Sequence, residues 1–439
     1  MPDVEPAGGP EEVVTIEDLS VDGAGVGRLA DGCVVFVDNA VVGDLVRVRP
    51  SRRHKRLAFA DLLAVERPSE ERVPSRCDLW QCGGCPNKGT SLALQARLKA
   101  ARVAAALANI GHVDPEGLVL PPLECGDGWA WRHRIRLHAA WRDEPAGPGR
   151  FQVGYHERRS HRLVPLSTCP VAWPEVERLG RAIAGGVAQL PREAGLRSVE
   201  LAYSRRDHRG GARIVAEGSV AAFRQSLGWV EQSELGGLEV QGGDGSFRWG
   251  NLELRYDHAQ ADQYDLRYEP GLFTQAHVAA NDLLVAEVLA AIEPRAGQRV
   301  LELHAGIGNF TVPLARAGAQ VVAVEMQRRS ALFLQNNVRL AGATAEVHAV
   351  RDAQGLALLA RQPEVLLLDP PRAGARTVAG ALAAMGDAAP KTIVYVSCDP
   401  ATLARDARQI TAGPRRLLRV RPIDLFPQTP HVECVAVFG

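Results

Sequence analysis

The chain has 439 residues, 46% of them hydrophobic, with Lys plus Arg matching Asp plus Glu at 51 each. That length accommodates two to four domains and the apolar share a substantial core, while the zero net charge points to no partner class by itself. There is no apolar run of about 18 residues and no apolar leader core, so a membrane partner is excluded and a cytoplasmic protein, acting as a monomer, is expected.

Residues 1–11 read as a flexible tail, acidic and rich in Pro and Gly. Residues 12–68 then carry short apolar stretches, "VVTIEDLS", "GVGRLA", "CVVFVD", "DLVRVRP" and "LAFADLLAVE", separated by the turn signals "DGAG", "DG" and "VGD". Five short strands in that space suggest a small OB-like β-barrel. A basic run holding Arg47, Arg49, Arg52, Arg53, Lys55 and Arg56 is placed between the fourth and fifth strands. Barrels of this size bind single-stranded nucleic acid, and a basic edge suits phosphate; a plain structural barrel is the alternative.

Residues 69–267 form a mixed α+β central region. Cys77, Cys82 and Cys85 have C-x4-C-x2-C spacing, and Cys169 in "TCP" is a distant fourth thiol. Three close thiols and one remote one suit a four-cysteine metal site, with iron–sulfur and zinc both open. Cys33, Cys125 and Cys434 are isolated and are assigned to packing. A helical pattern from Thr90 is expected to end at a C-cap, Gly111. Between Trp129 and Leu163 stand eight Arg against three acids, with four His interleaved. "WRHRIRLHAAW" suits either an RNA clamp with Trp129 and Trp131 as stacking rings or the core of a strand.

From Tyr268 to Gly439 helix and strand alternate regularly, which predicts a parallel α/β sheet closed by a C-terminal hairpin. "RVLELHAGIGNFTVPLARAGAQVVAVE" reads as strand, glycine turn, helix and second strand, ending in Glu325. A dinucleotide site would have G-x-G-x-x-G, whereas Phe310 and Thr311 follow the G-x-G here, so an adenosyl ligand without a pyrophosphate fits better. Glu325 at the second strand tip can accept from both ribose hydroxyls. Asp352 follows the third strand, where it suits either the adenine amino group or a helix N-cap. In "LLLDPPRAGA", Asp369 ends the next strand, ahead of two stiffening prolines and Arg372. "IVYVSCDPATLARD" puts Cys398 at the following strand tip, on the cofactor edge and at a helix N-terminus that favours a thiolate. In "HVECVAVF", Glu433 lies within an apolar strand, where a desolvated carboxylate implies a task such as general base.

Six ordered pieces of this stretch, "FTQAHVAAN", "GIGNFTVPLA", "VVAVE", "LLLDPPRAGA", "IVYVSCDPATLARD" and "DLFPQTPHVECV", resemble the catalytic domain of the S-adenosylmethionine-dependent uridine-5 RNA methyltransferases. The barrel resembles the TRAM domain of that family, and "CGGC" with its following helix resembles the family's iron–sulfur segment. The resemblance implies a Rossmann-like methyltransferase domain over 268–439 and a covalent route. Cys398 adds to C6 of uracil, C5 takes the methyl group, and Glu433 removes the C5 proton. It implies that Gln275, the backbone near His304, Asn309, Glu325, Asp352 and Asp369 hold the methyl donor. It also implies a [4Fe–4S] cluster, with zinc as alternative, on Cys77, Cys82, Cys85 and Cys169. Ribosomal RNA is the first expected substrate and transfer RNA the second. A cytosine-5 methyltransferase and a non-catalytic RNA-binding protein are the rivals. Two positions depart from the family pattern: Asp399 stands where Asn is usual, and His304-Ala305 replace an aromatic-Cys pair. An added carboxylate at residue 399 is expected to oppose thiolate formation.

Overall fold

The computed structural model describes residues 5–6, 9–144, 147–224, 228–231 and 233–439. They gather into two compact units. The first takes in residues up to Lys99 together with Tyr155–Val164 and Phe426–Pro430. The second takes in Ala100–Gly154, Pro165–Leu425 and His431–Gly439. Among the described residues, no helix is long and apolar enough to cross a membrane.

In the first unit, β1 (Glu12–Thr15), β2 (Gly25–Arg28), β3 (Val34–Val37), β4 (Leu45–His54) and β5 (Leu57–Arg67) form a curled sheet. The ladder runs β1-β4-β5-β3-β2. Period-two alternation builds it: Val46 and Val48 of β4 are fully buried while Arg47 and Arg49 face outward. Val14, Ile16, Val35, Val37 and Ala58 complete the core, and Cys33 packs with them as expected. The basic run is not a loop between strands. His54 pairs with Leu57, so β4 continues through Arg53 and the hairpin turns at Lys55-Arg56 alone. A register shift at Pro50 absorbs the residue that cannot donate to the ladder. The helix α1 (Leu92–Ala106) follows the cysteine segment. Gln95 ties Phe426–Pro430 to this unit: its amide accepts from Gln428 N at 2.8 Å and donates to Gln428 Oε1 at 3.0 Å.

In the second unit, β6 (Arg134–Glu144), β7 (Gly147–His156), β8 (Leu196–Ser204), β9 (Arg209–Ala216), β10 (Leu235–Gly242) and β11 (Gly245–Gly250) pair in the order β7-β6-β8-β9-β10-β11. The amphipathic helix α2 (Pro174–Val187) buries Val176, Leu179 and Ile183. Trp131 is buried and its ring stacks on His277 at 5.3 Å, so this tryptophan serves packing rather than solvent-exposed stacking. Gly111 is not the helix cap. The chain passes Ala106 into one π turn, and His112 takes the left-handed cap at φ 51°. Gly111 instead lies against Ala404, whose carbonyl oxygen would stand 3.3 Å from an added Cβ.

The remainder is the parallel α/β arrangement expected. It comprises α3 (Val278–Ile292), β12 (Arg299–Leu303), α4 (Thr311–Arg316), β13 (Gln320–Val324), α5 (Arg328–Leu340), β14 (Ala345–His348), α6 (Asp352–Leu356), β15 (Val365–Leu368), α7 (Arg376–Met385), β16 (Thr392–Ser397), α8 (Pro400–Ile410), β17 (Leu417–Ile423) and β18 (Glu433–Phe438). The sheet order is β14-β13-β12-β15-β16-β18-β17, parallel through β16 and antiparallel at β18. Strands covered on both faces read as unbroken apolar runs, which is why "VLLL" and "TIVYV" were legible as strands.

Candidate active site

Strand register brings the reactive groups together. Leu368 pairs with Tyr395 and Ser397 pairs with Cys434. Asp369 and Cys398 therefore follow the tips of adjacent parallel strands, and Glu433 enters β18 directly across from Cys398. Glu433 is 3% exposed, whereas Cys398 keeps partial access to solvent. Burial pushes the Glu433 carboxyl well above the usual range, and the nearby Asp369 adds to this. Burial likewise raises Asp369. Each carboxyl is thus held toward its neutral form by the dry surroundings.

Burial works against the expected ionised thiol. Burial raises Cys398 to about 11, with the Glu433 and Asp369 charges adding to it and Arg372 opposing them. The feared effect of Asp399 takes a different form. Its carboxylate is the N-cap of α8 and accepts from Thr402 N at 2.9 Å, the role an Asn side chain would also fill.

Arg372 proves more central than its sequence context suggested. Besides acting on Cys398 and Glu433, its Nη2 lies 3.3 Å from Nε2 of His431. The loop bearing it is clamped by α8. Asp406 is fully buried and accepts from Ala375 N at 2.7 Å and Tyr395 Oη at 2.8 Å, while Arg405 donates to Ala373 O at 2.9 Å.

The cofactor edge is built beside this cluster. His304 follows β12 in the left-handed region at φ 65°, turning the chain into Gly306 and Gly308, both at positive φ. Glu325 closes the loop, its Oε2 accepting from Gly306 N at 2.9 Å and its Oε1 from Gln327 N at 2.7 Å. Asn309 is fixed by a reciprocal amide pair with the buried Asn281 of α3, at 2.8 and 2.9 Å. Gln275 is buried, and its carbonyl accepts from Tyr256 Oη at 2.9 Å. Asp352 opens α6; its side chain lies outside the described residues. Glu302 was missed from the sequence. It is 1% exposed, accepts from Thr311 Oγ1 at 2.6 Å, and is pushed up to about 8 by burial, with Asp369 and Glu325 contributing. Its alternation within "RVLEL" between Leu301 and Leu303 was the same signal that singled out Glu433.

Cys77, Cys82 and Cys85 belong to the first unit and Cys169 to the second. Among the described residues, no three His, Cys, Asp or Glu side chains converge as a metal-holding group. The buried Lys88 ammonium instead lies 3.7 Å from Cys77 Sγ and donates to Leu79 O at 2.6 Å.

The family model of tRNA (Uracil-5-)-methyltransferase matches residues 256–438, and that of the TRAM domain matches residues 9–63. A 23S rRNA (uracil(1939)-C(5))-methyltransferase RlmD of Dechloromonas aromatica is 32% identical, over 96% of this chain and 98% of its own. That of Alkalilimnicola ehrlichii is 34% identical, over 97% and 96%. The chain belongs to the RNA uracil-5 methyltransferase family. Members of this family use S-adenosylmethionine as methyl donor. A solved Pyrococcus abyssi tRNA (uracil-54, C5)-methyltransferase shares the fold, with TM-score 0.75 over 98% of this chain and 100% of that one at 21% identity.

Proposed function

We propose that this methyltransferase transfers a methyl group from S-adenosylmethionine to C5 of a uridine in ribosomal RNA, the target for which its relatives are named. The observation that carries the residue assignment is the placement of Cys398 opposite Glu433, next to Asp369 and the glycine turn. As the Cys398 thiol gives up its proton to solvent, to which it is partly open, its sulfur bonds to C6 of the target base, which turns C5 into an enolate-like carbon. C5 then takes the methyl from the sulfonium sulfur. The Glu433 carboxylate removes the C5 proton, and the C6–S bond breaks to release the product. Glu433 must be ionised for that step; Arg372, which pulls its carboxyl down, opposes the burial that protonates it. Gln275, His304, Asn309, Glu325, Asp352 and Asp369 are proposed to hold the methyl donor. The curled sheet of residues 12–68 is proposed to bind RNA in the cytoplasm.

The test is incubation of the enzyme with labelled methyl donor and total RNA from a strain lacking it, with mass mapping of the product. Label is expected at C5 of a ribosomal uridine. Cys398→Ala should abolish transfer, and Glu433→Gln should leave a denaturation-resistant protein–RNA adduct. Transfer by Cys398→Ala equal to wild type would discard the covalent route. A metal role for Cys77, Cys82, Cys85 and Cys169 rests on their spacing alone, and no step of the reaction is drawn through it. Anaerobic purification followed by iron, sulfide and zinc analysis decides it: iron and sulfide in equal amounts support the cluster, and zinc alone refutes it.

A further inference from the structure

The outward face of β6 and the residues before it raises a separate question. Trp131, His133, Ile135 and Leu137 are buried, so Arg132, Arg134 and Arg136 share the opposite face. With Glu200, Tyr268 and Ala276 they line a cavity of about 250 Å³. Its polar groups do not balance. Glu200 pairs with Arg136 at 3.5 Å. Among the described residues, no carboxylate forms an ion pair with Arg132 or Arg134. The buried Nε of Arg132, the buried Nε of Arg134 and the hydroxyl of Tyr268 all lack a hydrogen-bond partner. Tyr268 is 1% exposed, so solvent does not satisfy it. The guanidinium planes are held by rings instead, Arg132 over Trp131 at 4.9 Å and Arg134 over Phe273 at 5.3 Å.

A buried donor left unsatisfied keeps the full cost of its lost hydration. Ordered water could take the protons, but it would leave two guanidinium charges uncompensated in one recess. An oxyanion meets both demands, and the guanidinium fork matches phosphate oxygens in particular. Pro270, Gly271, Leu272 and Ala276 of the segment that carries Gln275 also line the cavity. We infer that Arg132, Arg134 and Tyr268 form a socket for a backbone phosphate of the substrate RNA. This rests on the methyltransferase reading above.

The experiment is equilibrium binding of a 23S ribosomal RNA hairpin fragment by the full chain over a salt series, with S-adenosylhomocysteine present. For Arg134→Gln the affinity should fall about tenfold, and the log–log salt slope should fall by roughly 0.7–0.9, one phosphate contact. Tyr268→Phe should lose a few-fold in affinity with the slope unchanged, because it removes a donor and no charge. For both variants KM for RNA should rise while kcat at saturating RNA stays near wild type. Methylphosphonate linkages scanned singly along the fragment serve as the second measurement, on wild-type protein alone. One linkage should weaken binding sharply, and uniform small losses would overturn the socket. A well-folded Arg134→Gln with wild-type slope overturns it too, as does a variant that loses only inorganic phosphate binding. Methyl transfer by wild type separates the two readings: if it persists while the slope is unmoved, the socket alone fails.

Discussion

Cys398 sits among groups that keep it a thiol. Burial acts most strongly, Glu433 and Asp369 repel a second negative charge, and Arg372 is the counterweight; the outcome is about 11. At neutral pH the resting thiolate is then a fraction on the order of one in ten thousand, against a few per cent for an ordinary cysteine. The nucleophile must therefore form only when the base is bound and its proton has somewhere to go. Iodoacetamide labelling of Cys398, followed by peptide mass mapping, should accelerate about tenfold per pH unit without levelling below about pH 10. Arg372→Gln should slow it further, and a plateau near neutrality would contradict the account. Glu302 yields a stability prediction. Its folded carboxyl stays protonated up to about 8, while in the unfolded chain it ionises near the ordinary 4.5. The folded chain thus binds more protons between those values. The group's contribution is fully present below the unfolded pKa and is lost as pH rises through about 8. Relative to wild type, Glu302→Gln should gain about 1.4 kcal/mol per pH unit across that window, to a total on the order of 5 kcal/mol. Urea melts at about pH 5.5 and about pH 8.5 measure this; a difference that does not change with pH would refute the assignment.

The loop between β15 and α7 is held by α8 rather than by its own sequence. Gly374 has φ 74°, and an added Cβ would stand 2.6 Å from both Arg405 Nη2 and Asp406 Oδ2. Gly374→Ala should cost roughly 2–3 kcal/mol from clash and strain together. It should also lower kcat by displacing Arg372, two residues away. Gly380 is the contrast within the same segment. It is an exposed position of α7 with nothing within 4 Å of its Cβ site, and Gly380→Ala should stabilise by about 0.5–1 kcal/mol. Equal effects of the two substitutions in chemical denaturation would refute the clamp. The prolines in "DPPRAGA" were readable as stiffeners, but the Asp406–Ala375 and Arg405–Ala373 bonds join residues about thirty apart and left no local signal. The Asn281–Asn309 pair escaped for the same reason.

For the molecule as a whole, zero net charge means that RNA affinity depends on which arginines escape internal pairing. In the hairpin of β4 and β5, Arg47 meets Glu66, Arg49 meets Glu11 and Arg53 meets Asp31. Arg52, Lys55 and Arg56 are exposed and carry the remaining charge. In the second basic stretch, Arg158 and Arg159 pair with Asp38, and Arg162 with Glu157. Replacing Arg52, Lys55 and Arg56 together by Gln should therefore reduce the salt slope of RNA binding by up to about 2–3. Replacing Arg47 and Arg49 should change it little. A larger slope change from the paired set, in filter binding across a salt series, would show that the ion pairs open on RNA.

The sequence by itself determined the order of elements and the residues at the strand tips. Parallel strands buried on both faces leave apolar runs, and the polar residues that end them stand out. It also determined the family, through six short ordered motifs. Tertiary structure decided the electrostatics. Whether Cys398 is acidified or suppressed depends on Glu433 and Asp369, which approach only when the antiparallel β18 inserts beside β16. Whether an arginine is free for RNA depends on carboxylates from other strands. Desolvation and charge–charge energies are set by distance and burial, which the linear order of residues does not contain.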